Sequence, residues 1–295
     1  MAEKIGFVGV GLMGHGMAKN IVEKGFALSV LGHRKREAVE DLVGRGATEV
    51  KSARALAETS DIVVLCVTGS PQVESIVGGP DGLAAAGREL LVVDCSTSDP
   101  SSTMRLAHDL AECRIRLVDA PLSRTPKEAW AGTLDVMVGG EAADVKRARP
   151  VLEAFAGRIV ETGGVGSGHM MKLLNNFVSL GYASIYAEAL ALGAKAGVSR
   201  QTFHQVISGG RMDCPFFQTF AEYAVGGNRD AHKFTLNNAL KDLTYLSSFA
   251  NATSSANPVG AAVRNSFAAA VGLGGGEDYV PMLTDVVARL NGLER

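Results

Sequence analysis

The chain has 295 residues, 46% hydrophobic and 20% charged, which is enough for two domains with cores of their own. Lys and Arg number 29 against 31 Asp and Glu, a formal net charge of −2 with the cations scattered, and this excludes a nucleic-acid-binding stripe. No apolar run reaches the ~18–20 residues of a membrane span, no signal-peptide layout precedes the first strand, and Cys66, Cys95, Cys113 and Cys214 lack metal or disulfide spacing, so a reducing cytoplasm is expected.

Lys4-Ile5-Gly6-Phe7-Val8 reads as a buried parallel strand that runs into the loop Gly9-Val10-Gly11-Leu12-Met13-Gly14, and Met13 to Val22 follow at helical spacing. This strand, glycine turn and helix form a dinucleotide fingerprint. Gly9 makes the tight turn, Gly11 lets the backbone approach a pyrophosphate, Gly14 allows close helix packing, and the helix end between Leu12 and Met13 offers N–H groups to the anion. Further strands are expected at 27–31, 62–67, 90–94, 115–119, 135–138 and 158–160, with helices at 37–44, 53–58, 101–112, 125–132 and 141–156. The alternation predicts an α/β domain over 1–164, a Rossmann-type, doubly wound and mostly parallel sheet.

At the end of the second strand, where an acid would bind the ribose 2′-hydroxyl of NAD, the chain has Gly32-His33-Arg34-Lys35-Arg36. Cations oppose the dipole at a helix start, so this cluster suits a 2′-phosphate and favours NADP (NADPH) over NAD. The glycine-rich stretch 163–168 then punctuates the chain. Beyond it the strand signal ends, and helical patterns at 169–196, 200–208, 216–223, 237–250, 258–271 and 282–293 predict an all-α domain over 165–295, led by a long interdomain helix. The small residues Gly181, Ala183, Ala187 and Ala191 on that helix suggest close packing and a homodimer or homotetramer.

Hydride transfer to a carbonyl builds negative charge on oxygen, so a proton donor is needed. Lys172 and Asn176, at i and i+4, put an ammonium and an amide on one helix face, with Asn175 close by. Met170, Met171, Leu173, Leu174 and Phe177 around them suggest a packed turn.

With these residues goes a set of ordered blocks: Gly6 to Asn20, Asp94-Cys95-Ser96-Thr97, Asp119-Ala120-Pro121-Leu122-Ser123, Gly132-Thr133-Leu134, Val138-Gly139-Gly140, Gly166 to Asn176, and Lys241-Asp242. Over its whole length the chain resembles the β-hydroxyacid dehydrogenase family, which includes 3-hydroxyisobutyrate dehydrogenases and several semialdehyde reductases. The resemblance implies that Lys172 is the catalytic lysine, that Asn176 holds the substrate near it, and that Ser123 binds the substrate carboxylate. It also implies cofactor contacts at Val67, Thr68 and Thr97, a cofactor-reaching lysine at Lys241, and an aromatic at Phe234 that closes the cleft. The implied substrate is a small anionic semialdehyde or β-hydroxyacid, with no metal and with neither nucleic acid nor membrane as partner.

One block departs from the commonest family pattern. Where most members have Gly-Gly after the serine, this chain has Arg124-Thr125. Arg124 could recognise a bulkier or second anion, as the similar pair in sulfolactaldehyde reductases suggests; it could replace lost backbone donors; or it could point to solvent. Arg211 and Pro215-Phe216-Phe217 are further candidates for shaping the pocket. Imine reductases usually lack the lysine, 6-phosphogluconate dehydrogenases are much longer, and a non-catalytic NADP-binding module on the same fold would have lost Lys172.

Overall fold

The structure, a computed structural model, describes residues 3–32 and 36–293, so the cofactor candidates His33, Arg34 and Lys35 lie outside the described residues. The chain divides into two compact units, Met1–Lys172 and Leu173–Arg295.

The first unit alternates strand and helix: β1 (Ile5–Val8), α1 (Gly14–Glu23), β2 (Leu28–Leu31), α2 (Arg36–Gly44), β3 (Thr48–Val50), α3 (Ala53–Thr59), β4 (Ile62–Leu65), α4 (Ser70–Gly78), β5 (Leu90–Asp94) and α5 (Pro100–Glu112). It continues with β6 (Ile115–Asp119), β7 (Leu122–Ser123), α6 (Pro126–Ala131), β8 (Leu134–Gly139), α7 (Ala142–Phe155), β9 (Ala156–Gly163) and the start of α8 (Ser167–Lys195). The sheet order is β3-β2-β1-β4-β5-β6-β8-β7, with β9 on β8. From β3 to β6 every pairing is parallel, while β8 runs antiparallel to β6 and β7. The mostly parallel α/β sheet expected from the alternation is therefore present.

β1, β4 and β5 are buried along their whole length, because helices cover both faces of the sheet. Successive side chains point to opposite sides, so Ile5, Phe7 and Val64 join one core with Met17 and Phe155, while Val8, Val63 and Leu65 join another with Leu56 and Leu117. Strand order reverses between β1 and β4, which creates the crevice at the strands' carboxyl ends where doubly wound sheets bind ligands.

Several elements were not anticipated. β3 and β7 have 3 and 2 residues, α4 opens on Ser70-Pro71, and β9 spans Ala156–Gly163 rather than 158–160. The first compact unit includes the start of α8 up to Lys172, which Asp119 of β6 ties down, as described below.

The second unit is helical: the rest of α8, then α9 (Arg200–Ile207), α10 (Pro215–Ala224), α11 (Leu236–Ala252), α12 (Pro258–Ala270) and α13 (Leu283–Leu290). Leu180, Ala183, Ala187 and Leu190 of α8 pack with Phe217, Phe220, Leu243 and Phe267 in its core. Of the small residues of α8, Ala183, Ala187 and Ala191 are buried in this core, in line with the close packing expected for them. One expectation changes. By length and composition alone α8 could cross a membrane. Its inward face is a protein core and its outward face is apolar too, so neither side carries the polar stripe of an ordinary surface helix.

Candidate active site

The loop from β1 to α1 is shaped for a dinucleotide. Gly9 has φ +99°, and a Cβ there would strike the Cys66 carbonyl, while one on Gly14 would strike the Gly9 carbonyl. At Gly11 a Cβ would enter open space, so the cradle has room on the side a pyrophosphate would take. No side chain caps α1, its first turn carries no acid, and the positive end of its dipole is available to an anion. These residues fit a nicotinamide dinucleotide.

Val67 and Thr68 follow β4, and Thr97 follows β5, at the same edge of the sheet. The Val67 N–H donates to Ser96 Oγ at 3.0 Å, and Ser96 N–H donates to Asp94 Oδ1 at 2.9 Å. The two loops therefore hold one another.

At the ribose end, Arg36 is committed: Nη1 and Nη2 donate to the two Glu49 oxygens at 2.6 and 3.0 Å. Its hydrogen bond and charge hold the Glu49 carboxyl below the usual carboxylate range. Glu49 Oε1 lies against Gly32, so an acid does reach the end of β2, though from the neighbouring strand β3. The expectation of an acid-free ribose site thus holds for β2 alone, and Arg36 is not an uncommitted cation.

Lys172, half-buried, stands in the second turn of α8. What seats that helix is Asp119, fully buried at the end of β6: Oδ1 accepts the Gly166 N–H at 2.7 Å and Oδ2 the His169 N–H at 2.8 Å. This is an N-cap supplied by a distant strand. Burial pushes the Asp119 carboxyl above its usual range, while the His169 ring and the two N–H groups pull it back. The close approach requires Gly168, where a Cβ would sit 2.5 Å from the Met137 carbonyl and 2.8 Å from that of Asp119.

In the second unit, buried Asn176 donates from Nδ2 to Asp242 Oδ2 at 2.7 Å, and Lys241 Nζ lies 3.2 Å from Asp242 Oδ1 and 5.2 Å above the Tyr245 ring. Asp242 therefore orients both the Asn176 amide and the Lys241 ammonium. Phe234, half-buried, stands edge-on to His232 at 6.2 Å. The roles of Asp119 and Asp242 were missed from sequence, although both residues fall in the quoted blocks.

Ser123 ends β7, opposite Asp135 of β8. Arg124, next along, has φ +86°, exceptional for a residue with a side chain, and its Nε donates to Asp135 Oδ2 at 3.0 Å. The Thr125 hydroxyl takes part in a capping box with Glu128 at the start of α6. Of this trio, Thr125 is thus occupied in holding a helix. Arg211 is exposed, Phe216 packs against the second core, and Phe217 is buried within it.

A glycine cradle at the switch point of a doubly wound sheet, continued into a helical unit, defines a dinucleotide-binding Rossmann protein. Comparison with known families sharpens this. Residues 4–164 match the NAD-binding domain of 6-phosphogluconate dehydrogenase, and residues 166–285 match the NAD-binding domain of NADP-dependent 3-hydroxyisobutyrate dehydrogenase. The chain is 35% identical over 271 residues to a 3-hydroxyisobutyrate dehydrogenase of Pseudomonas aeruginosa, covering 89% of this chain and 90% of that one. It is 31% identical over 284 residues to a 3-sulfolactaldehyde reductase of Escherichia coli, covering 96% and 95%. The structure of a Mycobacterium tuberculosis 3-hydroxyisobutyrate dehydrogenase, solved with L-serine, superposes with a TM-score of 0.86 at 27% identity, over 97% of this chain and 99% of that one. The protein is a nicotinamide-dinucleotide-dependent oxidoreductase. It belongs to the β-hydroxyacid dehydrogenase family.

Proposed function

We propose that the chain is an NADP(H)-dependent enzyme that interconverts a small β-hydroxyacid and its semialdehyde, with Lys172 handling the proton. The observation that carries this reading is the entry of α8, where Asp119 seats the helix that bears Lys172. One turn further on, Asp242 fixes the amide of Asn176.

When bound, the dinucleotide gives or takes a hydride at its nicotinamide ring. In reduction the Lys172 ammonium donates a proton to the carbonyl oxygen, and in oxidation it steadies the alkoxide, in each case offsetting the charge that develops there. Asn176, with one N–H held by Asp242, presents the rest of its amide to the substrate. Ser123 binds the substrate carboxylate. Arg124 adds a guanidinium beside it, which suits a bulkier or second anion, such as the sulfonate implied by the name of the Escherichia coli relative. Arg34, with His33 and Lys35, recognises the 2′-phosphate of NADP, while Val67, Thr68, Thr97 and Lys241 contact the cofactor. We place the enzyme in the cytoplasm, in keeping with its four free cysteines, and as a homo-oligomer.

A panel of glyoxylate, the succinic, methylmalonic and tartronic semialdehydes and sulfolactaldehyde, followed by NADPH oxidation, tests the substrate class. Lys172→Ala is expected to abolish turnover on the best substrate while NADPH still binds, as read by quenching of protein fluorescence. Substantial residual turnover would refute the assignment of the lysine.

A further inference from the structure

His169 is fully buried, one turn before Lys172, and no role has yet been assigned to its ring. The ring lies among three elements of the first unit. Nδ1 is 2.8 Å from Thr103 Oγ1 of α5, Nε2 is 3.6 Å from Asp94 Oδ2 of β5, and its own backbone N–H is bonded to Asp119 of β6. Asp94 and Asp119 are register partners on adjacent strands and are both buried, so these two carboxylates are the titratable groups facing the ring.

Nε2 is buried without a hydrogen-bond partner. An unprotonated Nε2 would aim its lone pair at the Asp94 carboxylate, a repulsive contact. A protonated Nε2 presents a positive N–H edge to the same oxygen, in a charge–dipole contact slightly longer than a hydrogen bond. Two proton arrangements achieve this. The Thr103 hydroxyl can donate to Nδ1 of a neutral ring, or an imidazolium can donate from Nδ1 to Thr103, whose hydroxyl then donates to the Asp99 carbonyl at 3.1 Å. In both, Nε2 carries a proton.

We infer that His169 is a positioning residue whose imidazole, with Nε2–H turned to Asp94 and Nδ1 on Thr103, locks the entry of α8 to β5 and α5 and so fixes the turn of α8 that carries Lys172. Asp94 is the shared anchor: its other oxygen takes the Ser96 N–H, Ser96 Oγ accepts from Val67, and Ser98 Oγ donates to the same Oδ2 that faces the ring. The dinucleotide loops and the lysine-bearing helix thus share one buried carboxylate. The inference rests on the reading of Lys172 given above. A misplacement of about 1 Å at such a site costs on the order of a hundredfold in rate.

Wild-type enzyme labelled with ¹⁵N-histidine gives the protonation pattern of each ring, with the signal of residue 169 identified by its loss in His169→Gln. At pH 7 Nε2 of His169 should carry hydrogen; a neutral ring protonated on Nδ1 alone would overturn the inference. Thr103→Val removes the Nδ1 partner with little change in shape. It should lower kcat about tenfold while the NADPH Kd and the KM for the best aldehyde stay within about twofold. An unchanged kcat, or a fall explained by lost NADPH binding, overturns it. His169→Gln, whose amide can still donate to Asp94, should retain several times the kcat of His169→Leu, and equal losses overturn it; if the leucine variant does not fold, the ring spectrum and Thr103→Val decide. Lys172→Ala assayed alongside separates the two ideas: turnover in that variant removes the lysine reading, while the tautomer result stands on its own.

Discussion

Arg124 holds a positive φ in a position that most of the family gives to glycine, and it keeps that conformation while pairing with Asp135. Backbone strain of this kind persists where the side chain is needed. The guanidinium carries five N–H donors, and the bond to Asp135 uses the one on Nε. Replacing the arginine by glycine therefore separates stability from function. Arg124→Gly relieves the strain and loses only an exposed ion pair, so the thermal midpoint is expected to rise by about 2 °C. On a dianionic semialdehyde the same variant should raise KM about tenfold, equivalent to one lost charge-assisted contact, while a mono-anionic substrate changes by less than about twofold. Steady-state kinetics on such a pair, with calorimetry on both proteins, makes the check. Equal KM changes for the two substrates would remove the role in recognising a second anion, and no change in either would leave Arg124 with no part in recognition.

At the scale of elements, the long buried strands were legible because parallel strands covered on both faces read as unbroken apolar runs, as at Ile62–Leu65 and Leu90–Asp94. The helices of the second unit were legible from their 3.6-residue period. β3 was not: Thr48-Glu49-Val50 is an exposed edge strand with no apolar alternation, and so the acid it carries to the end of β2 went unseen. The site divides in the same way. Lys172 and Asn176 could be read from spacing along one helix, whereas the carboxylates that hold the Gly166 N–H at the start of that helix and the Asn176 amide come from 47 and 66 residues away, a separation that only tertiary structure closes. Glu49 bears on the choice of cofactor. It both neutralises Arg36 and places a negative charge at the end of β2, where we propose that the ribose phosphate of NADP lies. Glu49→Gln removes that charge and releases Arg36, so NADPH should bind about threefold more tightly while NADH binding is flat or weaker. Arg34→Ala should move the ratio the other way. Fluorescence titration with both dinucleotides reads the outcome, and a constant ratio in both variants would detach this edge of the sheet from cofactor selection.

For the whole molecule the open question is assembly, and α8 bears on it through its outward face. Met171, Leu174, Val178, Tyr182, Ile185 and Leu192 follow one another at intervals of three, four or seven, and all are exposed, Ile185 at 61% and Leu192 at 67%. The residues on the opposite side, Ala183 and Ala187, are wholly buried in the second unit's core, so the exposed stripe is not needed for folding that unit. A helix of 29 residues is ~43 Å long, and a face ~10 Å wide along it offers about 430 Å², roughly half of the ~800 Å² that each partner contributes to a stable interface. A second copy presenting the same stripe would cover it symmetrically, with flanking surface supplying the other half. The ionised variant Ile185→Glu places a charge at the middle of this stripe. Light scattering coupled to size exclusion is expected to find the wild type as a dimer or larger and Ile185→Glu shifted to monomer, because an unpaired charge buried in such a contact costs several kcal/mol. Val206→Glu, at a residue 73% exposed on α9, serves as a control of equal charge. If Ile185→Glu keeps the wild-type mass, the subunits meet on another face.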